Sequence, residues 1–443
     1  MTPRAAFRLA AATPALLVVA MSGARTEGAS ARRPEPDTLT AAYDVSGVRV
    51  IQRINPANDI LAVRLYLLGG TRQLTERSAG VEALLLEASE YGTAQFPGLE
   101  ARRAMSRTGA VLSLEPDADW TVFGFTGLVA DVDSTWHVFA ERVVRPTLSA
   151  EAVAQARGKL QTLAHRRYTE PDERIMAIAL RALFPGHPYS LDPRGTEASL
   201  AALTVDDLKA YHREQIVTSR MLLTVVGNVT RMRVESLVTA TLGQLPRGAY
   251  HWTLPSLPDR RHAAWLVDNR ATATAYLLGL FAGPPPTDHG YWAFRVATRL
   301  LSSHLHELIR TERSLSYAAY APYLERAIPV GGAYVSTPKP DVALPLIIRA
   351  IGDLESRPLD PLVLWRFIDS FKFDYLAENA TAANQADFLA RAELYLGGFR
   401  KGEEFLSRLQ SVSPIDVTNV AAQYMTAGQY AYLGDTARMR GKW

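Results

Sequence analysis

The stretch AGVEALLLEASEYGT, Ala79–Thr93, decides how this chain is read. It opens after a Ser-Ala-Gly break, is apolar at helical spacing and stops at Gly92-Thr93, which predicts an amphipathic helix. Ala83, Leu86 and Glu87 stand at i, i+3 and i+4 and so share one helix face. That face offers one carboxylate and nothing else that could bind a metal or move a proton.

Outward from this helix the pattern is a mixture of strands and helices. VRVIQRI (48–54) and ILAVRLYLLGG (60–70) precede it as strand-like runs. A helix around 97–108 and alternating strands in VLSLEPDADWTVFGF follow. A long helical stretch runs from Ala150 to Tyr168, and MLLTVVGNV (221–229) reads as a buried strand ending in a Gly-Asn turn. LPRGAYHWTLPSLPDRRH (245–262) is rich in proline and charge without periodicity and is expected to be a linker. Beyond it the pattern restarts: VDDLKAY before VVGNVTRM in the first part is matched by PIDVTNVAAQY before YLGDTARM in the second. From Asp207 to Gly227 is 20 residues and from Asp416 to Gly434 is 18. A duplicated α+β unit is the economical reading, with one copy over 40–244 and the other over 263–443.

With 443 residues the chain exceeds what one core usually organises. At 48% hydrophobic, 21% charged and a formal net charge of +3 it has the composition of a soluble globular protein. That charge gives no reason to expect nucleic acid or an anionic membrane as partner. The absence of cysteine excludes disulfides, thiol nucleophiles, Cys-bound zinc and lipoprotein attachment. MTPRAAFR followed by the apolar run LAAATPALLVVAMS reads as a signal peptide within residues 1–31, cut after Ala24 or Ala31. The run is short for a bilayer span, so export to a periplasm without a stable membrane anchor is expected.

The quoted helix resembles the active-site helix of the pitrilysin/insulinase family, whose motif runs G-x-x-H-x-x-E-H-x-x-x-x-G-T. Laid over it, the family's two histidines fall on Ala83 and Glu87 and its general base on Leu86. The third ligand, a glutamate on the long helix that follows, falls on Leu163. The likeness covers nearly the whole mature chain: RVVRPTLS, RRYTEP, FPGHPYSLDPRGT, LTVDDLKAYH and LLTVVGNV in the first half, LLSSHLHELIRTERSLSYAAYAPY in the second. In the last, Arg310 and Tyr317 match the arginine and tyrosine of the family's R-E-x-x-G-L-A-Y, while its glycine is Ser314.

The resemblance implies an α+β fold of two similar halves, each a mostly antiparallel sheet covered by helices, closing as a clamshell. A catalytic zinc needs three protein ligands and a carboxylate to take the proton from its water. Ala83, Leu86, Glu87 and Leu163 cannot supply them, so this chain is expected to be inactive alone and to hold no metal of its own. Glu82, Glu87 and Glu90 would suit a hard cation if anything, against the alternative of a solvated helix face. The nine histidines form no HxxEH or HxxxH pair, and no GxSxG elbow, P-loop or GxGxxG is present. The family pattern further implies a substrate-binding role for Arg310 and Tyr317. It also implies a zinc-bearing HxxEH partner subunit and an extended peptide as substrate. The alternative is a peptide-binding or scaffold protein with the same fold and no part in proteolysis.

Overall fold

The computed structural model describes residues 39–258 and 263–441. The expected signal peptide and the last four residues of the expected linker lie outside these. The first half contains β1 (Thr40–Val45), β2 (Val48–Ile54), β3 (Ile60–Leu68), α1 (Val81–Ala88), α2 (Glu100–Thr108), β4 (Val111–Pro116) and β5 (Trp120–Leu128). It continues through α3 (Val132–Val144), α4 (Ala150–Thr169), α5 (Pro171–Leu183), α6 (Glu197–Ala202), α7 (Val205–Gln215), β6 (Met221–Gly227) and α8 (Arg231–Ala240). The second half contains β7 (Ala264–Asn269), β8 (Ala275–Ala282), α9 (Gly290–Leu305), β9 (Ala318–Tyr320), β10 (Tyr323–Leu324) and β11 (Val330–Thr337). It ends with α10 (Pro340–Ser356), α11 (Pro361–Glu378), α12 (Ala382–Tyr395), α13 (Phe405–Gln410), α14 (Pro414–Tyr424) and β12 (Gln429–Gly434).

The duplication is visible strand by strand. The first sheet has the order β1-β2-β6-β3-β5-β4, and the second β10-β11-β8-β12-β7 with β9 beside β11. In each, one parallel pair (β2 with β6, β7 with β12) is set among antiparallel neighbours. The helix before each late strand starts at the same device: Thr204 and Asp207 form a capping box on α7, Ser413 and Asp416 on α14. Each box satisfies two orphan N–H groups of the helix end, which fixes where the helix begins. The sequence repeat is therefore a structural one.

Both faces of each sheet are buried. Along β3, Leu61, Val63, Leu65 and Leu67 join the core under α1, α3 and α4, while Ala62, Tyr66 and Leu68 face the other way. That is the period-two alternation of a strand, apolar on both sides because both sides are covered. The outer face is covered by the half's own helices. The inner face is covered by a helix from the other half: α12 lies on β3 and β6, and α5 on β8 and β12. The halves thus exchange helices and, within Leu39–Trp443, form one compact unit. Polar contacts reinforce the exchange. Arg174 Nε donates to Asp268 at 2.9 Å, and the Tyr66 and Tyr334 hydroxyls donate to Asp387 and Asp172.

The expected linker has no helix or strand over 245–258, yet it is no free tether. Trp252 lies beside Trp120, with ring centroids 6.0 Å apart, and its indole N–H donates to Leu394 O at 3.0 Å. Arg72 stacks on the Trp252 ring and donates to Thr253 O at 2.6 Å. An aromatic residue in an irregular segment finds a covered place because the burial of its ring outweighs the cost of ordering the chain.

Candidate functional site: a sealed helix and its cavity

Gly80 starts α1 at φ 87°, a left-handed conformation that suits glycine. A Cβ there would lie 2.7 Å from the Cα of Gly195, itself at φ 85°. The PRGT segment is thereby backed directly against the start of α1. All eight residues of α1 are buried, Ala83 and Leu86 among the core. The expectation of a solvated carboxylate face is overturned, because each carboxylate meets a cation brought from elsewhere. Glu82 accepts from Arg220 Nη2 at 3.1 Å and from the Tyr211 hydroxyl at 2.9 Å. Arg220 is itself buried and also donates to Leu68 O and Gln215 O, tying α1 to the end of β3 and to α7.

Glu87, which falls on the family's second histidine, is 7% exposed and accepts from Lys159 Nζ at 2.5 Å. Lys159 lies on α4 one turn before Leu163, onto which the family's third ligand falls. Glu90 accepts from Arg102 Nε at 2.6 Å. Burial opposes the Glu90 charge, but the Arg102 hydrogen bond and the Arg142, Arg102 and Lys159 charges outweigh it and hold the carboxyl below its usual range. Arg142 is buried under the helix end, donating to Ser89 Oγ and Leu86 O at 3.0 Å each. Burial lowers its guanidinium to about 10, against the pull of Glu90 and Glu87.

Ala83, Glu87 and Leu163 share one cavity of about 530 Å³, lined also by Lys159, Glu90 and Leu112–Leu114 of β4. Three of the four degenerate positions are thus brought together; Leu86 packs into the core instead. Zinc does not fit these residues. Two of the three would-be ligands have no donor atom, and the third is paired with an ammonium. The hard-cation alternative fails likewise, since Glu82, Glu87 and Glu90 are each paired with an Arg or Lys, Glu82 with a different cation from the other two.

Arg310 and Tyr317 lie elsewhere. The cavity is lined from the first half alone, and neither takes part in it. After Leu305 the helix continues as a single π-helical stretch, His306–Thr311, a wider turn that recurs at functional positions. Arg310 projects into solvent, 3.4 Å from His306 Nε2, and Tyr317 is 93% exposed. Between them Ser314 holds φ 51°, so the turn of the family's glycine is kept with a serine in it. Ser316 pins its far end, its hydroxyl donating to Ser336 O at 2.6 Å and accepting from Ala318 N at 2.9 Å.

The sequence reading missed the cations around α1, because nothing local announces that Lys159 reaches Glu87 across 72 residues. It also missed a second cavity of about 530 Å³. There Arg295, Arg299 and Ser302 line the wall from α9 with the spacing of Ala83 and Glu87 on α1 and Glu90 in the turn that follows it. Arg295 is paired with Glu325 at 2.8 Å and Arg299 with Asp374 at 2.6 Å. The repeat between the halves was the signal that could have located it.

Comparison with known proteins agrees with this geometry. The peptidase M16 inactive domain is matched over residues 202–357. In sequence over that stretch and in fold, the chain is similar to the peptidase M16 family. It is 26% identical to an uncharacterized zinc protease of Mycobacterium leprae over 62% of this chain and 63% of that one, a little under two thirds of the relative's length. An uncharacterized zinc protease of Mycobacterium tuberculosis is 23% identical over 91% and 93% of the two chains. The mitochondrial-processing peptidase subunit beta of Blastocladiella emersonii is 23% identical over 58% and 56%. Among solved structures, a protease from Helicobacter pylori shares the fold with a TM-score of 0.81 at 16% identity, over 89% and 99% of the two chains. A peptidase M16 inactive domain from Pseudomonas fluorescens gives 0.80 at 19%, over 90% and 98%. The family's zinc-binding motif, laid over this chain, falls on Ala83, Leu86, Glu87 and Leu163, a set of residues that does not fit a zinc ion.

Proposed function

We propose that this chain is the non-catalytic subunit of a heteromeric zinc metallopeptidase of the periplasm, completing the substrate chamber around a partner that bears the intact HxxEH helix. The observation that carries this reading is the division of the two half-sites. At α1 the Lys159 ammonium is seated against Glu87, where the family has a metal ligand, while Arg310 and Tyr317 stand exposed at a pinned turn. Zinc on the partner would supply the activated water. This chain would supply a planar fork of donors from Arg310 and a phenolic donor from Tyr317, both suited to carbonyl oxygens of an extended peptide. The edge strand β4 supports the same reading, since it ends its sheet and lines the α1 cavity, where a peptide could add as a further strand.

The test has two stages. Tagged chain recovered from its native envelope is expected to bring down, near one to one, a subunit with an intact HxxEH helix. In that purified complex, Arg310→Ala with Tyr317→Phe is expected to lower kcat/KM by about 10²-fold. Unchanged activity ends the substrate-contact role. Recovery of the chain alone, or with proteins lacking the motif, replaces the subunit reading by a scaffold with the peptidase fold.

A further inference from the structure

Helix α11 is apolar on more than the side it buries. Leu364 and Ile368 face the core, yet Leu362, Trp365, Phe373 and Leu376 are between 55% and 75% exposed. Large apolar side chains gathered on one exposed face of a helix mark a surface that meets a partner. Leu362, Trp365, Asp369, Phe373 and Leu376 recur at steps of three, four, four and three, a spacing that reads the same in both directions, with the exposed Val363 beside it at the start of the helix. Arg366 and Lys372 stand three residues either side of Asp369 and are exposed with it. Among the described residues none of these three charges has an ion-pair partner.

We propose that α11 pairs antiparallel with α11 of a second copy of this chain, about a two-fold axis through Asp369. A two-fold contact requires that if one residue meets another, the reverse also holds. The palindromic spacing meets that condition. It sets Leu362 against Leu376 of the second copy and Trp365 against Phe373 of the second copy, each contact occurring twice. It also places each Asp369 between Arg366 and Lys372 of the opposite helix, so the two like charges at the axis are bracketed by four cations. An unrelated protein would need neither the symmetry nor the charge order. The apolar stripe amounts to roughly 500 Å² per copy. That falls short of the approximately 800 Å² per partner of a standard stable interface, so the pairing is a transient one that depends on concentration over the micromolar range. This pairing is independent of the proposed zinc-bearing partner.

Sedimentation equilibrium of the purified chain from 1 to about 200 µM, read against circular dichroism to verify folding, tests it. The wild type is expected to pass from monomer to dimer. Trp365→Asp and, separately, Asp369→Lys are expected to weaken association at least tenfold. Arg366→Glu, Asp369→Lys and Lys372→Glu combined reverse every charge, and this variant is expected to dimerise again. A wild type that stays monomeric throughout overturns the pairing. So does a dimer untouched by Trp365→Asp, or a triple variant that fails to recover while folded. If Trp365→Asp abolishes capture of an HxxEH-bearing subunit but leaves self-association unchanged, the stripe belongs to that subunit and the self-pairing is wrong, while the proposed function stands.

Discussion

Glu87, onto which the family's second histidine falls, is half of an ion pair with Lys159. Lys159 is about half exposed, so solvent screens the pair, but Glu87 is not free to be rehydrated. Lys159→Met is expected to lower stability by about 1–2 kcal/mol in urea titrations, because it leaves a buried carboxylate without its donor. Adding Glu87→Gln should recover part of that loss, and a purely additive double variant would contradict the pairing. Asp119 gives a signed pH dependence. Burial raises its carboxyl above the ordinary range, against donors from Tyr189, Ala327 and Tyr395. A raised folded value means its contribution is full below about pH 4 and is lost as pH climbs through that value. The stability of the wild type relative to Asp119→Asn should therefore fall with rising pH from about 4 upward; a constant or rising difference would refute the assignment. At Ser314 the left-handed backbone costs about 1–2 kcal/mol, against 0.5–1 for the flexibility of glycine. Ser314→Gly is expected to gain about 0.5 kcal/mol and Ser314→Val to lose more than 1, measured by thermal unfolding.

At the scale of single elements, local pattern told most of the truth. The run VRVIQRI is β2 residue for residue, and the matched helix–strand units end at Gly227 and Gly434 in nearly the same conformation. Capping boxes and period-two alternation are written within a few residues, so they are legible without the fold. The α1 carboxylates were misread because their partners, Arg220 and Lys159, lie 138 and 72 residues away. The same limit hid the exchange of α5 and α12, since an amphipathic helix looks alike whichever sheet it covers. Of the candidate site, the lack of any metal-binding group on Ala83, Leu86 and Leu163 was readable from residue type, whereas the cations paired with the carboxylates beside them were not. The start of α1 offers a test of how tightly it is seated. Gly80→Ala meets both an unfavourable φ and the Gly195 backbone, and should cost about 2 kcal/mol or more by chemical denaturation. A variant as stable as the wild type would mean that the two glycines can move apart.

At the scale of the whole molecule, two sheets with two cores would ordinarily license two unfolding steps. The crossed helices argue for one. Calorimetry on the chain is expected to give a single transition with matching van't Hoff and calorimetric enthalpies; two resolved steps would show that the halves melt independently. The order of synthesis adds a different burden. The last strand of the first sheet ends at Gly227, but the helix that covers its inner face begins only at Ala382, 155 residues later. At about 5–20 residues per second, the ribosome leaves that apolar sheet bare for roughly 10–30 s. A nascent first half is thus a client for holding chaperones until α12 emerges, and every truncated product ending before that helix is born sticky.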